Sequence, residues 1–566
     1  MKTVGIGEAA RLLGVKPHVL RYWESELPML APRKGRTGRR EYSAQDLQLL
    51  LRLKTLLYER RYTLEGARRE LWEELTSPNP DLRARLDAVR SELVEALMLI
   101  QERSGEPAAE HDPREVFEAL GQGHLFAHWD ARPPGMRRRL LEDLESVDSG
   151  LMGSLVGRLA EGPARPARIE PVAYVSLREI AADREARGIG EELIASGRTA
   201  FLTVAGGQGS RLGFDGPKGL FPVTPIRQLP LFALFAEKLL AARRRYGSAI
   251  PWLIMTSRGN HEDTRRAFER ADWFGLGAGT VRFFTQGMLP ALSPEGRLLL
   301  AADGGLFWSP DGHGGVIGSL RSSGLLVELA AAGVEELFHF QVDNPLVTVP
   351  DPVYLGFHRR AGSDISSKVV EKSHPAEKLG AIATIGGRPR VIEYSDLSDA
   401  LANARDGQGR LLFAQGSIAI HVLRVGFLAR EGLSLPLHLA RKRVRALIPT
   451  PDGADTEDRE AVKFEMFIFD AIPLADRALF FEVDRAEEFS PLKNREGPDS
   501  IETCRRGQVE KAARWLETCG ITVPRGDDGR PRHLLEIAPL FALDRAELAA
   551  KRSTLPDRID ADTLLA

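Results

Sequence analysis

The sequence predicts an α/β fold built on a parallel sheet, preceded by a small all-α helix-turn-helix head. Three observations predict it. Short apolar runs at 201–204, 252–255 and 337–342 alternate with helical stretches such as 231–245, the pattern of strands buried on both faces. The first of these runs opens directly into a glycine loop. The first 75 residues have another texture, with short helical patterns and 15 Lys/Arg against 10 Asp/Glu, whereas the remainder holds 62 against 69. A basic head on an acidic body points to an anionic partner for the head.

The bulk properties narrow the classes. At about 150 residues per domain, 566 residues suggest three to four domains. Hydrophobic residues at 43% and charged residues at 28% describe a globular chain, and 54 Gly and 35 Pro without a period exclude a collagen-like one. Two cysteines, Cys504 and Cys519, exclude a disulfide framework and a four-thiolate zinc site, and fit a reducing, cytoplasmic setting. No apolar run approaches the roughly 18 residues of a membrane span. Residues 1–10 carry Glu8 and lack the apolar core of a signal peptide.

In chain order, Ile6 to Leu13 has helical spacing and stops at Gly14. A second helix follows Pro17, with Val19, Leu20, Trp23 and Leu27 on one face. Arg33 to Arg40, five basic residues in eight with two glycines, reads as a tight basic hairpin. Ser43 then caps a helix from Ala44 to about Leu75. Pro78 and Pro80 break it, 81–102 resume a helical pattern, and 104–113 read as a linker. The expected domains are 1–75, 76–113, a helical region at 114–199, the sheet-bearing core at 200–500 and a C-terminal region at 501–566. From about 380 the strands read as shorter and more mixed. No internal repeat is found.

The loop Ala205-Gly206-Gly207-Gln208-Gly209-Ser210-Arg211-Leu212-Gly213 carries the chemistry. It is not a P-loop, because no Gly-Lys-Ser/Thr closes it, and Leu212 occupies the third glycine position of the dinucleotide fingerprint. It is still an anion cradle, since residues without side chains let backbone N–H groups approach a polyphosphate. Arg211 and Lys218 supply cations within a few residues. A glycine-rich turn without a ligand has the same composition.

The loop and its Gly216-Pro217-Lys218-Gly219 extension resemble the UDP-sugar pyrophosphorylase family, in particular its UDP-N-acetylglucosamine pyrophosphorylase branch. Further matches follow in order: Ile254-Met255-Thr256-Ser257, Phe283 to Ala291, Pro310-Asp311-Gly312-His313-Gly314-Gly315, Val342-Asp343-Asn344, Lys368 to Lys372, Val391 to Ser395, Phe467 to Asp470, and Glu488 to Asn494. Upstream, Gly121 to Leu125 with Trp129 looks like the family's helical region. The resemblance spans roughly 114–500. It implies a Rossmann-like nucleotidyltransferase core and a Mg²⁺-dependent reaction of UTP with a sugar 1-phosphate. It assigns Arg211, Lys218 and Lys463 to the phosphates and Asp343 to the metal. Ala205, Gly206, Gly207, Gln286 and Gly312 fall to the nucleotide, and His313, Gly380, Glu393, Ser417, Phe469 and Lys493 to the sugar. Two residues depart from the branch: His313 and Ser417 each stand where it has an asparagine. Both changes fall on the sugar side and put the sugar, not the nucleotide chemistry, in question.

The head resembles the MerR family of DNA-binding proteins through Gly7-Glu8-Ala9-Ala10, Leu13-Gly14-Val15, Leu20-Arg21-Tyr22-Trp23-Glu24 and Arg39-Arg40-Glu41-Tyr42. That implies a winged helix-turn-helix whose second helix enters the major groove while the basic wing meets phosphate. His18, Arg21, Tyr22, Arg36, Arg39 and Arg40 are then the DNA contacts, and 81–102 the element that makes a homodimer. Two readings follow. One is an active uridylyltransferase with a DNA-binding head; the other is a regulator whose enzyme-like domain senses UTP or a UDP-sugar.

Overall fold

The computed structural model describes residues 112–147, 149–160 and 168–566, together with 3–5, 9, 20, 23, 33–34 and 40–54 of the N-terminal segment. The chain divides into two units, Met1–Val116 and Phe117–Ala566.

In the first unit, strands Thr3–Gly5, Arg33–Lys34 and Arg40–Ser43 form an antiparallel sheet with Arg40–Ser43 in the middle. The expectation of an all-α head is thereby corrected. The basic hairpin expected at 33–40 is present, whereas the three-residue strand Thr3–Gly5 carries too little alternation to be read from sequence. The pairs Arg33↔Glu41 and Lys34↔Arg40 join the two arms of the basic hairpin. Ser43 caps the helix Ala44–Lys54: its hydroxyl accepts the Asp46 N–H at 3.2 Å, and the Asp46 carboxylate accepts the Ser43 N–H at 2.8 Å. Leu47, Leu50 and Leu53 are buried on that helix. His18, Arg21, Tyr22, Arg36 and Arg39 lie outside the described residues, as do the helix's extension to Leu75 and the 81–102 element.

The second unit is organised by one ten-stranded mixed sheet. Strands β1 (Thr199–Val204), β2 (Trp252–Thr256), β3 (Val281–Thr285) and β4 (Glu336–Gln341) run parallel in the order β3-β2-β1-β4. Helices α1 (Leu231–Tyr246) and α2 (His261–Arg270) form the first two crossovers. β1, β2 and β4 are buried on both faces, while β3 at the edge is only partly buried. Phe201, Trp252, Ile254, Phe338 and Phe340 enter one core, while Leu202, Leu253, Met255 and Leu337 enter the other. That is why the runs read as continuously apolar rather than alternating. The strand order reverses between β1 and β4. In such a sheet a crevice opens there, beyond the carboxyl ends of the strands.

Past β4 the sheet becomes mixed. β5 (Ile365–Glu371), the hairpin β6 (Ala381–Ile385) and β7 (Arg388–Ile392), and β8 (Gln415–Arg424) join it, with β8 antiparallel to β4 and β5. A separate hairpin follows, β9 (His438–Thr450) on β10 (Gly453–Glu465), and β11 (Ala478–Glu482) returns parallel to β5. The expectation of shorter strands past residue 380 is corrected: β8 has 10 residues, and β9 and β10 have 13 each. Arg441, Lys442, Arg443, Asp458 and Glu460 are exposed along the hairpin, so it has little apolar alternation to read, although the pairing satisfies its backbone. Its inner face packs Leu447, Val462 and Phe464 against the helical region, including Leu140, Leu144 and Leu155. Helix α3 (Ile501–Thr518) opens the C-terminal region.

Candidate active site

β1 delivers the glycine loop to the crevice. The Ala205 N–H donates to the Met255 carbonyl at 2.8 Å, and the loop then closes on itself. The Gly209 N–H donates to Gly216 at 2.9 Å and the Lys218 N–H to Gly207 at 3.0 Å, which returns Lys218 to the loop mouth. Glycine is required at 219, where a Cβ would meet the Phe232 ring at 2.1 Å. Asn260, fully buried after β2, holds the loop's shape. Its Nδ2 donates to the Ala205 and Gly207 carbonyls at 3.0 and 3.3 Å, while its Oδ1 accepts the Ser257 N–H at 2.8 Å. The sequence reading missed Asn260, whose one signal is its place just beyond a buried strand.

Asp343 lies two residues past β4. Its Oδ2 is 3.7 Å from the Lys218 Nζ, with both side chains largely buried. A third segment closes over them. The Leu492 N–H donates to the Asp343 carbonyl at 2.8 Å, and the Leu492 carbonyl accepts from Lys218 Nζ at 3.4 Å. Asn344 fixes this segment, donating to the Glu488 carbonyl at 2.7 Å and accepting the Ser490 N–H at 3.1 Å. Lys493, next in line, is 3.4 Å from Asp499. Arg211 is exposed on the loop and makes no ion pair among the described residues.

One wall joins the loop to the next motif. The Gln286 N–H donates to Thr256 at 2.7 Å, and its Nε2 donates to the Gly312 carbonyl at 2.8 Å. A Cβ at Gly206 would lie 3.1 Å from Gln286 Oε1, so Gly206, Gln286 and Gly312 are neighbours. Asp311 is buried behind them, and burial raises its carboxyl to about 6.

The aromatic side gathers His313, Phe467 and Phe469. His313 lies 5.4 Å from Phe467, which stacks on Phe469 at 5.1 Å and meets the tilted His438 ring at 4.7 Å. Burial pulls the His313 imidazole down to about 4, so it is neutral at pH 7. The His438 Nε2–H donates to the Asp470 carboxylate at 2.7 Å. Glu393 belongs to this cluster; burial and the charges of Asp396 and Asp470 raise its carboxyl. His438, scattered from the others in sequence, was not read as part of the site. Gly380 and Ser417 meet where β6 crosses β8, the Ser417 N–H donating to the Gly380 carbonyl at 2.9 Å. Lys463 approaches from the hairpin, lining a cavity of about 270 Å³ with Gly312, His313, Lys442 and Phe467.

The family profile described as UTP–glucose-1-phosphate uridylyltransferase matches residues 165–497. The chain belongs to that family. It is therefore a uridylyltransferase, an enzyme of the nucleotidyltransferase class. Relatives of this uridylyltransferase carry narrower names. It is 34% identical to the UDP-N-acetylhexosamine pyrophosphorylase-like protein 1 of Mus musculus, over 77% of this chain and 93% of the relative. It is 33% identical to the UDP-N-acetylglucosamine pyrophosphorylase of Saccharomyces cerevisiae, over 73% and 93%. The solved uridine diphosphate N-acetylglucosamine pyrophosphorylase of Trypanosoma brucei shares the fold, with a TM-score of 0.64 over 81% of this chain and 99% of that one, at 24% identity. Residues 5–73 match the profile described as MerR HTH family regulatory protein. No helix among the described residues is long and apolar enough to cross a membrane.

Proposed function

We propose that this uridylyltransferase joins UTP to an N-acetylhexosamine 1-phosphate, releasing pyrophosphate, and that it also accepts a plain hexose 1-phosphate. The observation that carries the reading is the meeting of Lys218 and Asp343 at the mouth of the glycine loop, 3.7 Å apart. The names of the relatives support the N-acetyl sugar.

An oxygen of the sugar phosphate attacks the α-phosphorus, and the bond from that phosphorus to the bridging oxygen breaks, its electron pair leaving with pyrophosphate. The nucleophile is already an anion, so no general base is needed; charge repulsion and alignment make the barrier. Backbone N–H groups at Gly206 and Gly207, with Arg211 and Lys218, offset the phosphate charge. Gly206, Gln286 and Gly312 form a slot for the flat base. His313, Glu393 and Phe469, with Gly380, Ser417 and Lys493, face the sugar. The Asp343 carboxylate accepts no hydrogen bond among the described residues and offers free hard oxygens, which fits Mg²⁺. Among the described residues no three His, Cys, Asp or Glu side chains group to hold a metal, so Asp343 and substrate phosphates would share the ion. When bound, Mg²⁺ supplies charge neutralisation at the phosphates. Pyrophosphate release from UTP and a panel of sugar 1-phosphates tests the reading.

Sugar choice gives a sharper test. Losing a paired buried hydrogen bond costs about 1–3 kcal/mol, or roughly ten- to a hundredfold in kcat/KM. His313→Asn with Ser417→Asn is expected to raise the kcat/KM ratio for N-acetylglucosamine 1-phosphate over glucose 1-phosphate by at least about tenfold. An unchanged ratio, or a wild type already selective by a hundredfold, removes these two positions from specificity.

We infer further that residues 1–75 bind DNA as a dimer through a winged helix-turn-helix. The excess of 15 basic over 10 acidic residues and the hairpin pairing Arg33–Lys34 with Arg40–Ser43 support it. With the full chain and DNA from its own upstream region, log affinity is expected to fall linearly with log salt, and Arg36→Ala should reduce the slope by about one. Binding that ignores salt counts against the head. A sensor without turnover has no observation of its own in its favour, since Arg211, Lys218, Asp343 and Lys463 are all retained.

A further inference from the structure

We infer that Lys442 forms, together with Lys463, a second cationic subsite for the nucleotide's phosphates, and that Lys442 touches the substrate directly. This rests on the uridylyltransferase reading above.

The strand register places the two lysines. Lys463 pairs with Ala440 and Lys442 with Ala461. Opposed residues of an antiparallel pair share a face, and so do residues two apart on one strand. Lys442 and Lys463 therefore leave the hairpin on the same face, as diagonal neighbours roughly 7–8 Å apart at the backbone. Both line the cavity that also contains Gly312 and His313. Gly312 is bonded to Gln286, and Gln286 adjoins Gly206, so the cavity lies beside the nucleotide loop.

Charge indicates what the cavity takes. Glu465 is the carboxylate on its wall, and His313 is held neutral by burial. Two ammonium groups against one carboxylate leave a net positive charge. Neither lysine makes an ion pair among the described residues, whereas the arginines of the hairpin are engaged. Arg441 meets Glu460 at 3.1 Å, Arg443 meets the Asp458 carbonyl at 3.3 Å, and Arg445 meets Thr456 at 2.9 Å. Burial and then the charge of Lys442 lower the Lys463 ammonium, so Lys442 makes Lys463 costlier to keep charged. A guest with several negative charges, a polyphosphate, relieves that repulsion, and a neutral sugar does not.

Calorimetric titration of the full chain with UTP, and separately with inorganic tripolyphosphate, tests this. Lys442→Ala is expected to weaken both about tenfold, while Lys442→Arg stays within about threefold of wild type. Arg443→Ala, which removes the same charge from the opposite face of the hairpin, should leave both affinities within about twofold. Wild-type affinity in Lys442→Ala overturns the inference. Equal losses in Lys442→Ala and Arg443→Ala overturn it as well, by making the effect one of net charge. If the protein binds tripolyphosphate yet releases no pyrophosphate from UTP with any sugar 1-phosphate, the uridylyltransferase reading fails, and the tripolyphosphate titration still decides the role of Lys442.

Discussion

Replacing Asp343 by asparagine is expected to lower kcat by at least about a thousandfold, with the thermal unfolding transition unmoved, because the change removes a charge and keeps the shape. The side chain accepts no bond that holds the fold. The Leu492 clamp uses the Asp343 backbone carbonyl, which the substitution leaves in place. What is lost is the hard anionic oxygen beside Lys218. Chelation by EDTA should produce a loss of the same order in the wild type and little further loss in the variant. Turnover that survives either treatment would remove the metal role from Asp343.

The second large effect is on stability. Lys368 is fully buried, with its Nζ 2.6 Å from Asp351 and 3.1 Å from Glu488, and with the Tyr354 and Phe338 rings at 5.3 and 5.8 Å. Lys368→Met keeps the volume and strands two carboxylates in the interior. Breaking a buried pair in this way costs about 3–5 kcal/mol. The unfolding midpoint in urea should fall accordingly, and adding Asp351→Asn and Glu488→Gln should recover more than half of the loss. A midpoint unmoved by Lys368→Met would show that the pair contributes nothing net.

Much of this was legible in the residues. The three apolar runs became β1, β2 and β4, since strands buried on both faces advertise themselves without reference to partners. The glycine loop and Lys218 were readable because their relation is local. Lys368 was visible only as one letter in a matching block, because its meaning depends on Asp351 and Glu488, which the fold brings from other segments. Asn260 was silent for the same reason. The hairpin of β9 and β10 was illegible because its stability comes from backbone pairing and one buried edge, not from alternation. In the head the basic hairpin was readable from its glycines and charges, but the three-residue strand Thr3–Gly5 was too short to register.

The Leu492 clamp has a consequence for the making of the protein. Lys218 and Leu492 are 274 residues apart in the chain, and the site needs both. At a synthesis rate of about 5–20 residues per second, roughly 15–55 s pass between their arrivals. Through that interval the nascent chain already carries its basic head and its glycine loop, and it has no finished catalytic centre. A premature stop before Leu492 would release a polypeptide that keeps residues 1–75 and cannot turn over substrate, so a nonsense mutation there would separate the two halves of the protein's chemistry.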